Sequence, residues 1–258
     1  MIPLLITILV FIGLAGFLAW YFISHDHGEK EPIMALWAAL GFGLLGAVAA
    51  GYLEVKLLSG ELSPTGVTAV GGKLLFAAMA VGVIEEACKF LPLAFFLYRK
   101  RYFNEHTDGV IYFALAGLGF GVPENILYTM QGGVKTGIGR LILTPFFHAA
   151  VTALVGYYLA KTKLRHGSLW TVAAALGVAA LIHGVYDFGA FIGGGPFLVL
   201  SFMITFAMTV MLFMFYMRAS EHDQDQGLSV VGHNSFCRSC GKPNPRHYLY
   251  CQTCGQRA

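Results

Sequence analysis

The segment KLLFAAMAVGVIEEACKFLPLAFFLY, residues 73–98, decides the fold. It has the length that a bilayer's hydrocarbon core demands of a helix, and its interior is apolar except at Glu85, Glu86 and Lys89. A carboxylate near mid-membrane costs about 2.5–3.5 kcal/mol on insertion scales, so charges kept there point to function. Glu85 and Lys89 are four residues apart, share a helix face and are expected to pair. Glu86 is turned about 100° away, which leaves it to cap a neighbouring helix or backbone group. A structural ion pair is the plainer reading of this motif, but two glutamates need more than one lysine.

Six further apolar runs of similar length flank this one, near 2–24, 33–53, 109–130, 141–161, 169–192 and 197–217. Apolar residues make up 57% of the 258-residue chain and charged residues 12%, with a mean hydropathy of +0.66. Together these predict an all-α, polytopic membrane bundle of about seven spans rather than a soluble domain. The first run lacks a basic leading region and a small-residue cleavage site, so it reads as a helix and not a signal peptide. Small residues in the second run (Gly41, Gly43, Gly46, Gly51) suit close helix packing.

Cations set the expected orientation. Arg99, Lys100 and Arg101 follow the third span and Lys161, Lys163 and Arg165 the fifth, while Lys56, Lys73, Lys135 and Arg140 are scattered over the alternate connections. The positive-inside rule then predicts an integral cell-membrane protein, N-terminus outside and C-terminus in the cytoplasm. The net charge of +3 is this loop bias; no nucleic-acid partner is expected.

Past Arg218 the chain turns polar (EHDQDQG, residues 221–227). The expected division is a membrane domain over 1–218, a linker over 219–234 and a small module over 235–258. That module contains Cys237-x-x-Cys240-Gly and Cys251-x-x-Cys254-Gly with ten residues between the inner cysteines. Two such knuckles predict a closed, structural zinc ribbon folded mainly by its metal. It has no open position for a substrate and suits a cytoplasmic protein partner. Cys88 lies alone in the third span and reads as a small buried hydrophobe.

More polar groups recur in the next spans. The fourth carries GLGFGVPEN, residues 117–125, where Pro123 predicts a kink beside Glu124 and Asn125. In the fifth, His148 and Thr152 are one turn apart. In the sixth, His183 and Asp187 are four apart, so the carboxylate is expected to orient the imidazole. Each of these also fits structural polar packing. At about 1.5 Å per residue, however, Glu124, His148, His183 and Asp187 fall about 8–14 Å from the outer ends of their spans and Glu85 about 18 Å. Four helices thus offer polar groups at a similar level. No serine faces a base at that depth, and no Gly-x-Gly-Asp motif occurs. A glutamate that takes a proton from water fits the set, with imidazoles that position the water, donate to an oxyanion or ligate a metal.

Glu85-Glu86-x-x-Lys89, Phe120-x-x-x-Glu124-Asn125, His148 and His183-x-x-x-Asp187, in this order on successive helices, resemble the PrsW family of intramembrane proteases, itself distantly related to the CAAX-prenyl-protease (Abi) superfamily. The likeness covers about residues 73–192. It implies peptide-bond hydrolysis in or near the membrane, on membrane-protein or peptide substrates such as single-span anti-sigma factors. It also implies that Glu85, Glu86 and His183 are essential. The superfamily more often has histidine at the position of Glu124 and asparagine at that of Asp187. A metal-dependent and a metal-free glutamate mechanism both stay open, the former with Glu124, His148 and His183 as candidate zinc ligands. The expected catalytic set is Glu85, Glu86, Lys89, Glu124, His148, His183 and Asp187. Two other readings compete: a proton-coupled transporter, which needs a polar path to both faces, and a non-enzymatic scaffold recruiting partners through the zinc ribbon.

Overall fold

The structure, a computed structural model, describes residues 2–24, 31–58, 62–63, 66–67 and 71–225, together with Cys240 and Cys254. Its helices are α1 (Ile2–Ser24), α2 (Ile33–Leu57), α3 (Gly72–Pro92), α4 (His106–Leu164), α5 (Leu169–Ile192) and α6 (Gly195–Asp225). The exception to helix is a two-residue antiparallel pairing of Leu62–Ser63 with Gly66–Val67. After Pro92, which has no N–H to give the ladder, α3 widens into a π turn over Leu93–Leu97, closed by Tyr98 N donating to Leu93 O at 3.0 Å.

α4 is two antiparallel arms that meet at Gly133. Its backbone leaves helical dihedrals at Gly133 (φ 76°, ψ −176°), a conformation in practice restricted to glycine. Gly109 lies against Gly156, Gly117 against the backbone of His148, and Asn125 bonds to Arg140, so one register runs the length of the hairpin. Pro123, where a kink is expected, and Pro145 both keep helical dihedrals, so the helix runs through each without interruption. Counting the arms separately, seven helical rods are present among the described residues, matching the expected runs.

Six segments are long and apolar enough to cross a membrane: Leu4–Tyr21, Ile33–Leu57, His106–Leu141, Leu143–Leu164, Leu169–Ile192 and Gly195–Gln224. The seventh expected span, α3, has the length but carries Lys73, Glu85, Glu86 and Lys89. The first arm of α4 forms the centre of the bundle, buried on every side from Glu105 to Gly121. The other helices pack around the hairpin and turn apolar side chains outward, among them Leu5, Leu9, Trp37, Val48, Phe202 and Phe206. Such an outward face suits lipid, not water.

The two ends of the bundle differ. At one, Thr7 of α1 meets Gly137 just past the α4 turn. At the other, acids close the N-terminus of α4. Asp108 accepts from the backbone N–H groups of Asn104 and Glu105 at 2.6 and 2.8 Å. Asp223 accepts from His106 N (2.7 Å), Thr107 N (2.9 Å) and Thr107 Oγ1 (3.0 Å), and lies 2.7 Å from His106 Nδ1. Four helix-end donors thereby find partners beside favourable negative charge. This corrects one expectation: residues 219–225 are not linker but the last turns of α6, held by the buried Asp223. Cys237 and Cys251 of the expected zinc ribbon lie outside the described residues; Cys240 and Cys254 are each exposed at a turn.

Candidate active site

α3 and α5 touch where their side chains are smallest. Gly82 packs on the backbone of Ala180 and Gly184, and Gly184 on Met79, so a side chain one turn further along each helix reaches across. Glu85 and Glu86 thereby meet His183. Lys89 is wholly buried beneath them. Its Nζ donates to Glu85 Oε2 at 3.1 Å and to Glu86 Oε1 at 2.9 Å. It also stands 3.1 Å from His148 Nδ1 and 3.9 Å from the centre of the Phe120 ring. One ammonium thus ties both glutamates of α3 to the α4 hairpin, with a cation–π contact below.

These contacts fix the two imidazoles. An ammonium has no acceptor, so His148 Nδ1 receives the lysine proton and Nε2 carries its own toward Glu124 Oε2, 2.5 Å away. His183 places Nδ1 2.7 Å from Glu86 Oε1; a carboxylate accepts, so this nitrogen donates. His183 Nε2 is then left facing Glu85 Oε2 at 3.3 Å and Asp187 Oδ2 at 3.6 Å. Two expectations change here. Glu86 is not a cap on a neighbouring helix but the partner that orients His183. Asp187 is too far away for that role, and its Oδ2 is buried without a hydrogen-bond partner.

Arg140 holds the other flank. Nη2 bonds to Glu124 Oε1 at 2.5 Å and Nε to Asn125 Oδ1 at 2.9 Å, while the guanidinium lies 4.0 Å from the centre of the Tyr128 ring. Thr144 Oγ1 adds a bond to Asn125 Oδ1 at 2.6 Å. Arg140 had counted only as a loop cation. In the folded hairpin it is the counter-ion of Glu124. Phe147 closes the site from below, stacked on Tyr186 and edge-on to His183. Thr152 Oγ1 reaches Glu86 Oε2 at the limit of hydrogen bonding, 3.5 Å.

The expected residues therefore do come together, and Arg140 and Glu54 join them. Glu54, near the end of α2, has a buried Oε1 without a hydrogen-bond partner. It lies one residue beyond the expected limit of the second span, where a carboxylate carries no burial signal. Five carboxylates (Glu54, Glu85, Glu86, Glu124, Asp187) now share the site with two fixed cations and two imidazoles. A buried site with that surplus of negative charge favours a proton or a cation among its oxygens.

A metal fits the donor set. Glu85, His148 and His183 each bring one ligand atom to within 4.8 Å of the other two, and two imidazoles with one carboxylate is a known catalytic zinc set with an open position. The lone pair of His183 Nε2 already points at two carboxylates, an arrangement that a cation would relieve. The acid of this trio is Glu85, not the expected Glu124, whose oxygens are engaged by Arg140 and His148. Both nitrogens of His148 are in use, so coordination there would replace a bond to Lys89 or Glu124.

Membrane-length helices around two buried histidines and an acid cluster are the makings of a hydrolase that works within the membrane. The chain belongs to the PrsW family: the model of the "PrsW family intramembrane metalloprotease" matches residues 31–255. This match extends well beyond the motif-bearing residues 73–192. The chain is similar to Protease PrsW of Geobacillus kaustophilus, 32% identical over 171 residues covering 65% of this chain and 72% of that protein. Protease PrsW of Bacillus subtilis is 30% identical over 171 residues, with 65% and 75% coverage, and that of Clostridioides difficile 29% over 173 residues, with 64% and 71%. No solved structure matches the chain.

Proposed function

We propose that this intramembrane protease cleaves single-span membrane proteins, anti-sigma factors among them, with Glu85 as general base. The observation that carries this reading is the convergence of Glu85, His148 and His183 within 4.8 Å. Glu85 takes a proton from the attacking water and returns it to the leaving nitrogen. His183, held by Glu86 through Nδ1, presents Nε2 to the reacting centre. His148 and Glu124 form the opposite wall, and Lys89 keeps the two glutamates in register. In a zinc-dependent form Glu85 would instead be a ligand together with His148 and His183, and the ion would supply Lewis-acid polarisation of the carbonyl and a more acidic water. Glu86, Lys89 and Glu124 then serve as the surrounding shell that orients the ligands.

The same reading places α3 across the membrane as a seventh span, its charges neutralised within the site. The N-terminus is outside and the C-terminus cytoplasmic, on the support of the cation clusters 99–101 and 161–165. The tail is a zinc ribbon through Cys237, Cys240, Cys251 and Cys254, apart from the catalytic site and available to a cytoplasmic partner. A transporter gains no support: between the site and the acids at the far end of α4 lie Val110 to Leu118, a buried stretch without an ionisable carboxylate, imidazole or cation.

The test uses purified protein in liposomes with a single-span substrate. Glu85→Gln and His183→Ala should each abolish cleavage and leave the fold intact; normal cleavage by either sinks the mechanism. Metal content is read on a chain shortened after Asp225, which removes the tail cysteines. About one zinc per chain, lost in His183→Ala, identifies the catalytic metal, and a zinc-free active protein leaves the glutamate acting alone.

A further inference from the structure

Glu54 belongs to no motif used above, yet packing brings it to the level of the site. About two turns below it, Gly46 lies on the backbone of Cys88. One turn above it, Leu58 packs with Val81 and Ile84. Glu54 thus stands opposite Glu85 across the α2–α3 seam. Two carboxylate oxygens, Glu54 Oε1 on α2 and Asp187 Oδ2 on α5, are both buried without a hydrogen-bond partner among the described residues. Leaving such acceptors unsatisfied is costly, and a backbone N–H donated to a carboxylate is among the stronger ways to satisfy them.

A transmembrane helix presents the complementary problem. Its peptide carbonyls are shielded by the helix, so attack by water requires local unwinding. Unwinding frees backbone N–H groups that lipid cannot satisfy. We propose that Glu54 Oε1, together with Asp187 Oδ2, accepts backbone N–H groups of the substrate segment unwound at the scissile bond, which makes Glu54 a substrate-positioning residue. This rests on the protease reading. It also accounts for two buried carboxylate oxygens left without hydrogen-bond partners among the described residues, while Glu85, Glu86 and Glu124 each have one. Substrates with an acidic side chain, or with proline in place of the donor, should be rejected at that subsite.

The test measures binding apart from catalysis. A fluorescent 25-residue Leu/Ala peptide with a central Ala-Gly segment is titrated in lipid nanodiscs against Glu85→Gln protein, with and without Glu54→Ala. Loss of a charged hydrogen bond predicts a Kd weaker by about tenfold or more. Glu54→Gln, which keeps an acceptor oxygen, should recover most of it. N-methylating successive peptide nitrogens should weaken binding at one or two positions, and that loss should vanish in Glu54→Ala. With Glu85 present, Glu54→Ala should raise KM and spare kcat. Equal binding by the Glu85→Gln and Glu54→Ala/Glu85→Gln proteins, or zinc lost with Glu54→Ala, overturns the proposal. Glu54-dependent binding of a peptide that no variant cleaves instead overturns the protease reading and leaves this one standing.

Discussion

Glu86 Oε1 lies 2.7 Å from His183 Nδ1, a bond between α3 and α5 that aims the opposite nitrogen of His183 at Glu85 and Asp187. The paired glutamates therefore divide their work: one faces the reacting centre and the other sets the tautomer of the histidine. Glu86→Gln keeps the shape and offers an amide that can donate to Nδ1 and invert that tautomer. Cleavage kinetics should show kcat reduced about a hundredfold or more with KM little changed. An unaltered kcat would mean that Glu86 has no part in orienting His183.

Lys89 neutralises two carboxylates that are buried with it. Lys89→Met leaves both without their cation and should lower unfolding stability by about 3–5 kcal/mol, the range for breaking one partner out of a buried ion pair. Thermal unfolding in detergent measures this. Adding Glu85→Gln to Lys89→Met should recover part of the loss, because one of the two stranded charges is then gone.

Arg140 acts as a fork, with Nη2 on Glu124 and Nε on Asn125. Lysine supplies the charge without the planar pair of donors, so Arg140→Lys should retain folding but cut kcat about tenfold through a displaced Glu124 and His148. Identical kinetics for Arg140→Lys would reduce the arginine to a simple counter-ion.

Gly117 gives the α4 arms their close approach at the site. A Cβ there would overlap the carbonyl of His148, and overpacking of this kind costs about 1–3 kcal/mol. Gly117→Ala should shift His148 away from Lys89, lowering both melting temperature and kcat. Gly139→Ala on the same hairpin meets nothing within 4 Å and should do neither.

Asp223 caps α4 far from the chemistry. Asp223→Ala should lower stability by about 1–2 kcal/mol, a large helix-cap effect, and leave kcat at 25 °C as it was. Calorimetry and cleavage assays on the same preparation separate the two.

The spans were legible because lipid imposes length and apolarity on each helix independently of its neighbours. The site residues were legible as ionisable groups that such helices exclude. Their pairings were not, because spacing within one helix says nothing about what a second helix brings. His183 and Asp187 have the right separation to pair, yet Glu86 comes closer from α3. Arg140 looked like a loop cation because charge was counted by position along the chain, and only the hairpin register shows Glu124 waiting for it. Gly132-Gly133 held the place of the turn, seven residues ahead of Arg140.

The bond between Arg140 and Glu124 also bears on how the protein is made. A lone arginine or carboxylate entering hydrocarbon costs about 2.5–3.5 kcal/mol, and each of these sits in a different arm of α4. The first arm leaves the ribosome before its partner exists, so keeping Glu124 near water until Arg140 arrives would spare that cost. The two arms then partition into lipid together as a zipped hairpin. Assembly of the catalytic wall at His148 and Glu124 would thus begin during synthesis, before the last two helices are made.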